Sequence, residues 1–360
     1  PSSRTATKAS TSTRTTISSG LKRWQRRTLD ACQALASRHT LSRLGRSSKP
    51  ILVGPWRGEV GFESLYWLPF LDWFREAYQI DPDRLIPISR GGASALYRTP
   101  MGLELYALRD PQDVRVANRL LHKRTAMLKQ RDPSDEWDAA VIRDAAAKLK
   151  LRSYDVLHPG HMYRLYEDFW EGRTGLDWFR RRTSFVTIPP PPLPDGLTLP
   201  PSFLAVRFYV RPTFPFSGMT RDFVVETVKQ LAARQPVIVL STGQHVDDHL
   251  DYPLPEMANV QVLSQMTPLL PENNLAVMAA VLGRAAGFVG TYGGVAQLAM
   301  RMGKGSASFY TDWMGTAWAH KHLSEVVAHA QETNWVVERL MDIPLLQDVC
   351  PHMTVSRVSS

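Results

Sequence analysis

Cysteine is scarce in this chain, and no apolar run is long enough to cross a membrane. The two cysteines among 360 residues, Cys32 and Cys350, lie at opposite ends of the sequence. Neither a disulfide framework nor a CxxC metal cluster is therefore predicted, and a reducing compartment is favoured. The best candidate for a membrane span, residues 276–290, is interrupted by Arg284 and by glycines, and it falls short of the ~18 residues required. The sequence thus argues against an integral membrane protein.

Acidic residues are nearly absent from the first 49 positions. This segment holds eleven Lys and Arg against the single acid Asp30, a net charge of +10, whereas the whole chain carries +9. The remaining residues are therefore close to neutral, with a net charge of −1. Since a nucleic-acid-binding domain carries its basic charge on the folded surface, this distribution disfavours nucleic acid as a partner.

The basic N-terminal segment has two parts. Residues 1–20 contain six Ser, six Thr and no acid, a composition that predicts disorder. Residues 21–44 predict an amphipathic helix whose apolar stripe is formed by Leu21, Trp24, Leu29, Cys32, Leu35 and Ala36. Three interpretations fit this helix: a contact with an anionic membrane surface, packing on its own domain, or an organelle transit segment.

A proline-rich segment divides the rest of the chain. Seven prolines lie between residues 187 and 201, which forbids a helix or a central strand and predicts a stiff linker. The predicted organisation is a tail and helix (1–49), an α/β domain (50–186), the linker (187–201), a second α/β domain (202–345) and a tail (346–360).

Apolar strand-like runs alternate with helix-like segments on both sides of the linker. Before it, the predicted strands are 50–54 and 84–89, and the predicted helices are 62–78, 134–150 and 160–182. After it, the predicted strands are 203–210, 236–240, 260–263, 287–291 and 306–309, and the predicted helices are 220–234, 274–285, 295–302 and 321–330. The alternation predicts an α/β fold with two Rossmann-like parallel sheets, which bind ligands at the carboxyl ends of their strands. The helix around 321–330 and the segment after it, to residue 343, are expected to close the molecule and to cross back to the first half.

A glycine turn joins the predicted strand 287–291 to the next helix. It reads Thr291-Tyr292-Gly293-Gly294. Glycine allows the backbone to approach a ligand closely or to adopt a left-handed conformation, and free N–H groups at a helix start bind phosphate. The turn is therefore a candidate diphosphate site, although tight packing alone also explains two glycines.

This turn and its flanking elements resemble the donor-binding half of GT-B glycosyltransferases, especially the heptosyltransferase-like branch. The first half adds a second resemblance, because Gly54-Pro55-Trp56-Arg57-Gly58-Glu59 is similar to the glycine-rich loop and acidic residue after the first strand of that family. A narrower resemblance is to capsule and lipopolysaccharide enzymes of the Kdo-transferase type. The chain departs from the heptosyltransferase turn at Gly290, where the family has Asp, and at residues 295–297, where the family has His.

The resemblance implies a set of site residues. A nucleotide-sugar donor would contact Arg207, Arg211, Thr291, Tyr292, Gly293, Gly294 and Lys304, and the acceptor would contact Arg57 and Arg90. The catalytic candidates are Glu59, Glu63, His158 and His161, with Glu59 preferred because glycines flank its turn; Glu63 has the alternative of stabilising a helix start. No metal or other cofactor is expected, since His158 and His161 lack a third ligand cluster. Residues 244–249, rich in Asp and His, are explained by capping and solvation.

The resulting functional hypothesis is sugar transfer from a nucleotide-sugar to a cell-envelope glycan or glycolipid at the cytoplasmic face of a membrane. The transferred sugar, of hexosyl or sialic/Kdo type, is left open. A sugar-nucleotide 2-epimerase on the same fold is the enzymatic alternative, and it would consume the donor without an acceptor. A nucleic-acid-binding protein that uses the basic arm is the alternative from another class.

Overall fold

The computed structural model describes residues 28–125, 130–243, 250–312 and 317–340. The predictions for residues 1–27, 244–249 and 341–360 fall outside these ranges. Among the described helices, none combines the length and the apolar composition that spanning a bilayer requires.

Strands and helices alternate along the described chain. The strands are β1 Ile51–Val53, β2 Leu85–Ser89, β3 Leu103–Glu104, β4 Asp155–Leu157, β5 Leu204–Arg207, β6 Tyr209–Val210, β7 Val237–Val239, β8 Leu250–Asp251, β9 Val260–Val262, β10 Gly287–Thr291, β11 Ser306–Tyr310 and β12 Trp335–Arg339. The helices are α1 (28–46), α2 Val60–Phe62, α3 Leu68–Tyr78, α4 Pro111–Thr125, α5 Glu136–Lys148, α6 Pro159–Trp170, α7 Leu176–Arg180, α8 Gly218–Ala232, α9 Leu263–Met266, α10 Asn274–Leu282, α11 Gly294–Arg301 and α12 Ala317–Ala330.

The first sheet is parallel and has the strand order β3-β2-β1-β4. Strand β1 lies between β2 and β4, with Ile51 opposite both Leu85 and Asp155. All three residues of β1 are buried, which explains its unbroken apolar run Ile-Leu-Val. The order reverses between β1 and β4, so the loops that leave these two strands border a crevice at the carboxyl edge.

The second sheet has six parallel strands in the order β12-β11-β10-β5-β7-β9. Counted from β5, this is the doubly wound order 3-2-1-4-5-6 of the Rossmann fold. Its switch point lies between β5 and β10, where Gly290 pairs with Arg207. The two parallel sheets confirm the predicted α/β fold class with two Rossmann-like units.

Two predicted boundaries are wrong. The predicted strand 203–210 is divided, because β5 ends at Arg207 and β6 pairs antiparallel with β8. The Thr291 hydroxyl accepts the N–H of Tyr209 at 3.0 Å and donates to its carbonyl oxygen at 3.2 Å, so these backbone groups leave the sheet. The single helix predicted at 62–78 begins at Val60 and contains a π-helical segment, Glu63–Trp67.

The expectation for the closing helix and the segment after it is met in part. Trp335–Arg339 is the sixth strand of the second sheet and pairs in parallel with β11. The crossing to the first half is made by the preceding helix α12, where His320 Nδ1 lies 2.6 Å from the Tyr66 hydroxyl. Helix α4 and the short strand β4 were not predicted from the sequence.

The two halves meet through glycines at the starts of α2 and α11. A Cβ placed on Gly294 would lie 2.7 Å from Val60 Cγ1 and 2.8 Å from the backbone nitrogen of Gly61. A Cβ on Gly61 would in turn lie 2.9 Å from Gly294 Cα. Since real Cβ atoms do not approach heavy atoms so closely, glycine at both positions is required for this contact.

We expect Gly294→Ala to lower the free energy of unfolding by about 1–3 kcal/mol, because the added methyl group overpacks a backbone contact. Gly218→Ala, at the first residue of α8, is the matched control, since a Cβ there meets nothing within 4 Å. The control should stay within about 0.5 kcal/mol of the parent. Urea denaturation of the three proteins measures both values, and equal stability of the two variants would contradict a tight contact.

Candidate functional site

The carboxyl edges of both sheets border one region, which we call the seam. It consists of the loop after β1 (residues 54–61), the segment after β5 (207–211) and the turn after β10 (291–294). The contact of Gly61 with Gly294 joins the first and third of these segments. The seam therefore combines the switch points of both sheets, where doubly wound folds bind their ligands.

Arg57 is buried inside the first loop, with 2% of its surface exposed. Its Nε lies 3.0 Å from Asp138 Oδ1, and its Nη2 lies 3.5 Å from Asp135 Oδ1. The guanidinium carbon also lies 4.7 Å from the ring centroid of Trp137. The guanidinium of Arg57, which the sequence predicts to bind an acceptor, thus pairs with acids of the protein itself and ties the loop after β1 to the start of α5.

His158 joins the same buried network. Its Nδ1 accepts the backbone N–H of Gly160 at 3.0 Å, so in the neutral ring the proton is on Nε2. Nε2 then donates to Asp138 Oδ2 across 3.1 Å. Gln130 completes the network by donating to the Pro55 carbonyl at 2.8 Å. Asp138 therefore fixes both the loop after β1 and the turn after β4.

Glu59 is the exposed carboxylate of the seam. It precedes the first residue of α2 in extended conformation, and its side chain makes no capping hydrogen bond. Its charge acts across the seam on Arg211. Burial acts to lower the pKa of the Arg211 guanidinium, but the neighbouring Tyr209 and Glu59 outweigh burial and raise the pKa.

Glu63, in contrast, is fully buried. Its Oε1 accepts hydrogen bonds from the hydroxyls of Ser89 at 2.6 Å and Tyr97 at 2.5 Å, and its Oε2 lies 3.1 Å from Arg90 Nη1. Burial acts to lower the pKa of Arg90, but the Glu63 carboxylate and neighbouring tyrosines raise it. Glu63 and Arg90 thus form an internal ion pair that ties the start of the α2–α3 segment to the end of β2.

The turn after β2 links the halves at a second place. The Gly91 carbonyl accepts N–H groups from Leu275 and Ala276 at the start of α10, at 2.9 and 2.8 Å. On the other side, the N–H groups of Gly91 and Gly92 donate to Glu104 at 2.9 and 2.6 Å. Burial raises the pKa of Glu104 to about 7, although the backbone N–H groups act to lower it.

The predicted donor arginines have different environments. Arg207 Nε donates to Asp251 Oδ1 at 3.1 Å, and its guanidinium carbon lies 5.5 Å from the Tyr209 ring centroid. Arg211 Nη1 donates to the Tyr292 carbonyl at 3.2 Å. Its Nε is buried and has no hydrogen bond within the described part of the chain. Arg211 therefore keeps a buried donor, its Nε–H, within the seam.

The predicted glycine turn is filled by protein. A Cβ on Gly293 would lie 2.1 Å from the Tyr209 hydroxyl and 2.4 Å from Arg211 Nη1. Its φ of 165° is extended, so the left-handed backbone considered from the sequence is not present there. Thr291 is fully buried and bonded to Tyr209, and Tyr292 is buried beside Trp335, with ring centroids 6.3 Å apart.

Two predicted site residues lie apart from the seam. Lys304 follows α11 and precedes β11, so it lies at the amino edge of the second sheet, one helix of about 12 Å from the turn. His161 Nδ1 lies 3.3 Å from the Ser37 hydroxyl of α1. Burial lowers the pKa of His161 to about 4, so this ring is neutral near pH 7.

Four residues that position these contacts were not predicted from the sequence. Asp138 and Tyr209 shape the seam, whereas Glu104 holds the turn after β2 and His320 contacts Tyr66 of the first half. Asp138 stands among the capping acids of α5, and nothing in the pattern distinguishes it from Asp135, whose side chain accepts its N–H. Tyr209 was not singled out because it lies within the apolar run that predicts the strand 203–210. Glu104 had one available signal, since it follows the Gly91-Gly92 turn by a short interval and carboxylates bind free N–H groups.

No family model matches the chain, and no curated protein matches it in sequence. Three solved chains resemble it at low similarity, including the following two. A glycosyl transferase family 9 protein from Veillonella parvula has a TM-score of 0.43 and 10% identity, over 82% of this chain and 87% of that one. The E. coli heptosyltransferase WaaC with ADP has a TM-score of 0.40 and 13% identity, over 86% of this chain and 96% of that one. The fold assignment rests on strand order and register instead.

We expect Asp138→Ala to lower the free energy of unfolding by about 3–5 kcal/mol, because it leaves the buried Arg57 charge without its main partner. The control is Asp222→Ala, whose partner Arg221 is 55% exposed and whose loss should cost no more than about 1 kcal/mol. Urea denaturation gives both values. Similar losses in the two variants would show that the buried network does not hold the loop.

Proposed function

We propose that this protein is a glycosyltransferase that moves a sugar from a nucleotide-sugar donor to a glycan or glycolipid acceptor. The observation that carries the proposal is the seam itself, where an exposed carboxylate from one Rossmann-like unit faces an arginine from the other. Glu59 and Arg211 interact electrostatically although they belong to different sheets. A two-substrate transfer requires this arrangement, because the donor and the acceptor must meet at one point.

Arg211 is proposed to bind the donor diphosphate. Its buried Nε lacks a hydrogen bond among the described residues, and an arginine fork matches the geometry of phosphate oxygens. As the bond between the anomeric carbon and the diphosphate breaks, the guanidinium stabilises the charge on the departing nucleotide. Arg207, which Asp251 already neutralises in part, supplies further positive field nearby. The proposed chemistry is complete without a metal ion.

Glu59 is proposed to act on the acceptor side. As a base, its carboxylate takes the proton of the acceptor hydroxyl while that oxygen bonds to the anomeric carbon and the nucleoside diphosphate leaves. As a charge stabiliser, it faces the oxocarbenium-like centre instead. Both roles need the negative charge. Arg57, Asp138 and His158 hold the loop that presents it, and Glu63 is engaged with Arg90.

The acceptor is proposed to be a cell-envelope glycan or glycolipid at the cytoplasmic face of a membrane. The basic N-terminal segment supports this choice, because its charge is separate from the near-neutral body that contains the seam. A sugar-nucleotide 2-epimerase is the rival for the same site. It predicts conversion of the donor without any acceptor, which product analysis distinguishes directly.

We expect a UDP- or GDP-sugar to raise the melting temperature, since a ligand that binds only the native state stabilises it. A CMP-sugar, which has no diphosphate, is the comparison. Arg211→Ala should weaken that binding by more than about tenfold, or ~1.4 kcal/mol. The control is Arg221→Ala, because this arginine is exposed and pairs with the exposed Asp222 beside it. If Arg211→Ala binds the donor as tightly as the parent does, the diphosphate does not bind at Arg211. Arg211 is a better test than Gly294, whose substitution also disturbs the contact between halves.

We expect Glu59→Gln to lower kcat by about 10² or more with little change in donor affinity, because size is preserved and charge is lost. Glu63→Gln is the comparison. Its loss of the buried pair with Arg90 should reduce stability more than activity. Near-normal kcat in Glu59→Gln would reject this residue as base or stabiliser. Loss of donor binding would instead mean that Glu59 shapes the site.

A further inference from the structure

Helix α1 is docked on the first half by one of its faces. Ser37, Leu41 and Leu44 are fully buried and follow one another at helical spacing. The Ser37 hydroxyl lies 3.3 Å from His161 Nδ1, at the start of α6. One face of α1 is therefore covered by its own domain.

Polar contacts secure the same helix at both ends. Arg43 Nη1 donates to Asp155 Oδ1 at 2.8 Å, at the amino end of β4. Near the other end, Arg173 Nη2 lies 3.2 Å from Asp30 Oδ2. Because Arg173 follows α6 and His161 begins it, α1 runs antiparallel to α6. These contacts fix the orientation of α1, and they therefore also fix which of its faces points away from the domain.

The outer face of α1 is apolar and exposed. Leu29 is 57% exposed and Leu35 is 67% exposed, and Cys32 and Ala36 are exposed between and beside them. At 100° per residue these four side chains span about 120° of the helix surface, from the side opposite the buried stripe to its flank. The docked helix thus has two apolar faces, and the one that the sequence stripe predicted is left uncovered by the described residues.

The charges around this face are positive. The face continues along the helix to the exposed cation Arg46. The single acid of residues 28–46, Asp30, is paired with Arg173. Immediately before the described helix, the sequence adds four cations: Lys22, Arg23, Arg26 and Arg27.

We propose that this outer face of α1 docks on an anionic membrane surface. Leucine side chains enter the boundary between headgroups and acyl chains, and flanking cations lie near lipid phosphates. A second copy of the chain is a poorer occupant, because two such faces would bring like charges together. The docking is independent of the reaction proposed for the seam, so either one can fail without the other.

The first experiment measures co-sedimentation of the full chain with vesicles. We expect binding to vesicles of equimolar phosphatidylcholine and phosphatidylglycerol, weaker binding as salt is raised, and little binding to phosphatidylcholine alone. Leu29→Glu/Leu35→Glu should weaken binding by about tenfold or more, because it removes apolar insertion and adds repelled charge. Glutamate is a good helix former, so this exposed double change should leave the fold intact.

The matched control is Leu270→Glu, which makes the same change at a leucine that is 58% exposed outside α1. It should bind vesicles like the parent. Equal binding by the double variant and the parent would overturn the proposal, and so would equal loss in the double variant and the control. A parent that is dimeric in solution and becomes monomeric in the double variant would also overturn it, because the face would then join two copies.

A second measurement reports on the face directly. Cys32 is a free, exposed thiol at its centre, so a polarity-sensitive fluorophore can be attached there in a Cys350→Ser variant. We expect a blue shift of its emission on anionic vesicles and protection from aqueous iodide. A label that remains fully accessible to iodide on vesicle-bound protein would show that the basic residues bind without this face, which overturns the proposal.

Discussion

The close approach of Gly61 and Gly294 is the constraint on which the seam depends. Each glycine begins or nearly begins a helix that follows a strand at a switch point, and the backbones touch because neither carries a side chain. This contact brings the carboxyl edges of two separate sheets together. It also gives the second glycine of the turn 291–294 a packing role, because Val60 and Gly61 of the other half occupy the space beside Gly294.

Burial separates the charged residues of the seam into two groups. An unpaired buried charge is costly, so Arg57 and Glu63 each have an opposite charge at about 3 Å. These residues hold loops in place. Glu59 is exposed, and Arg211 keeps a buried N–H without a hydrogen bond among the described residues. These two residues come from different halves and interact electrostatically across the seam.

Much of the fold was predictable because buried parallel strands are short apolar runs bounded by turn residues. The strand Gly287–Thr291 was predicted with its observed bounds, and the helix before it began at the predicted Asn274. The end of β5 was not predictable from hydrophobicity. It depends on the Thr291 hydroxyl, which accepts the backbone N–H of Tyr209 in place of a neighbouring strand. The partners of buried charges were missed for a related reason, since Asp138 looks like any acid in the first turn of a helix.

The turn His158-Pro159-Gly160-His161 shows how one short motif serves two parts of the structure. His158 points to Asp138 and so helps to fix the loop that carries Glu59. His161 points to Ser37 and contacts the docked helix α1, and burial keeps it neutral because its pKa is lowered to about 4. A histidine pair that suggests metal or acid–base chemistry in sequence is thus engaged on both sides by protein. The same turn therefore contacts both α1, whose apolar outer face the described residues leave exposed, and the network that fixes the loop of the seam.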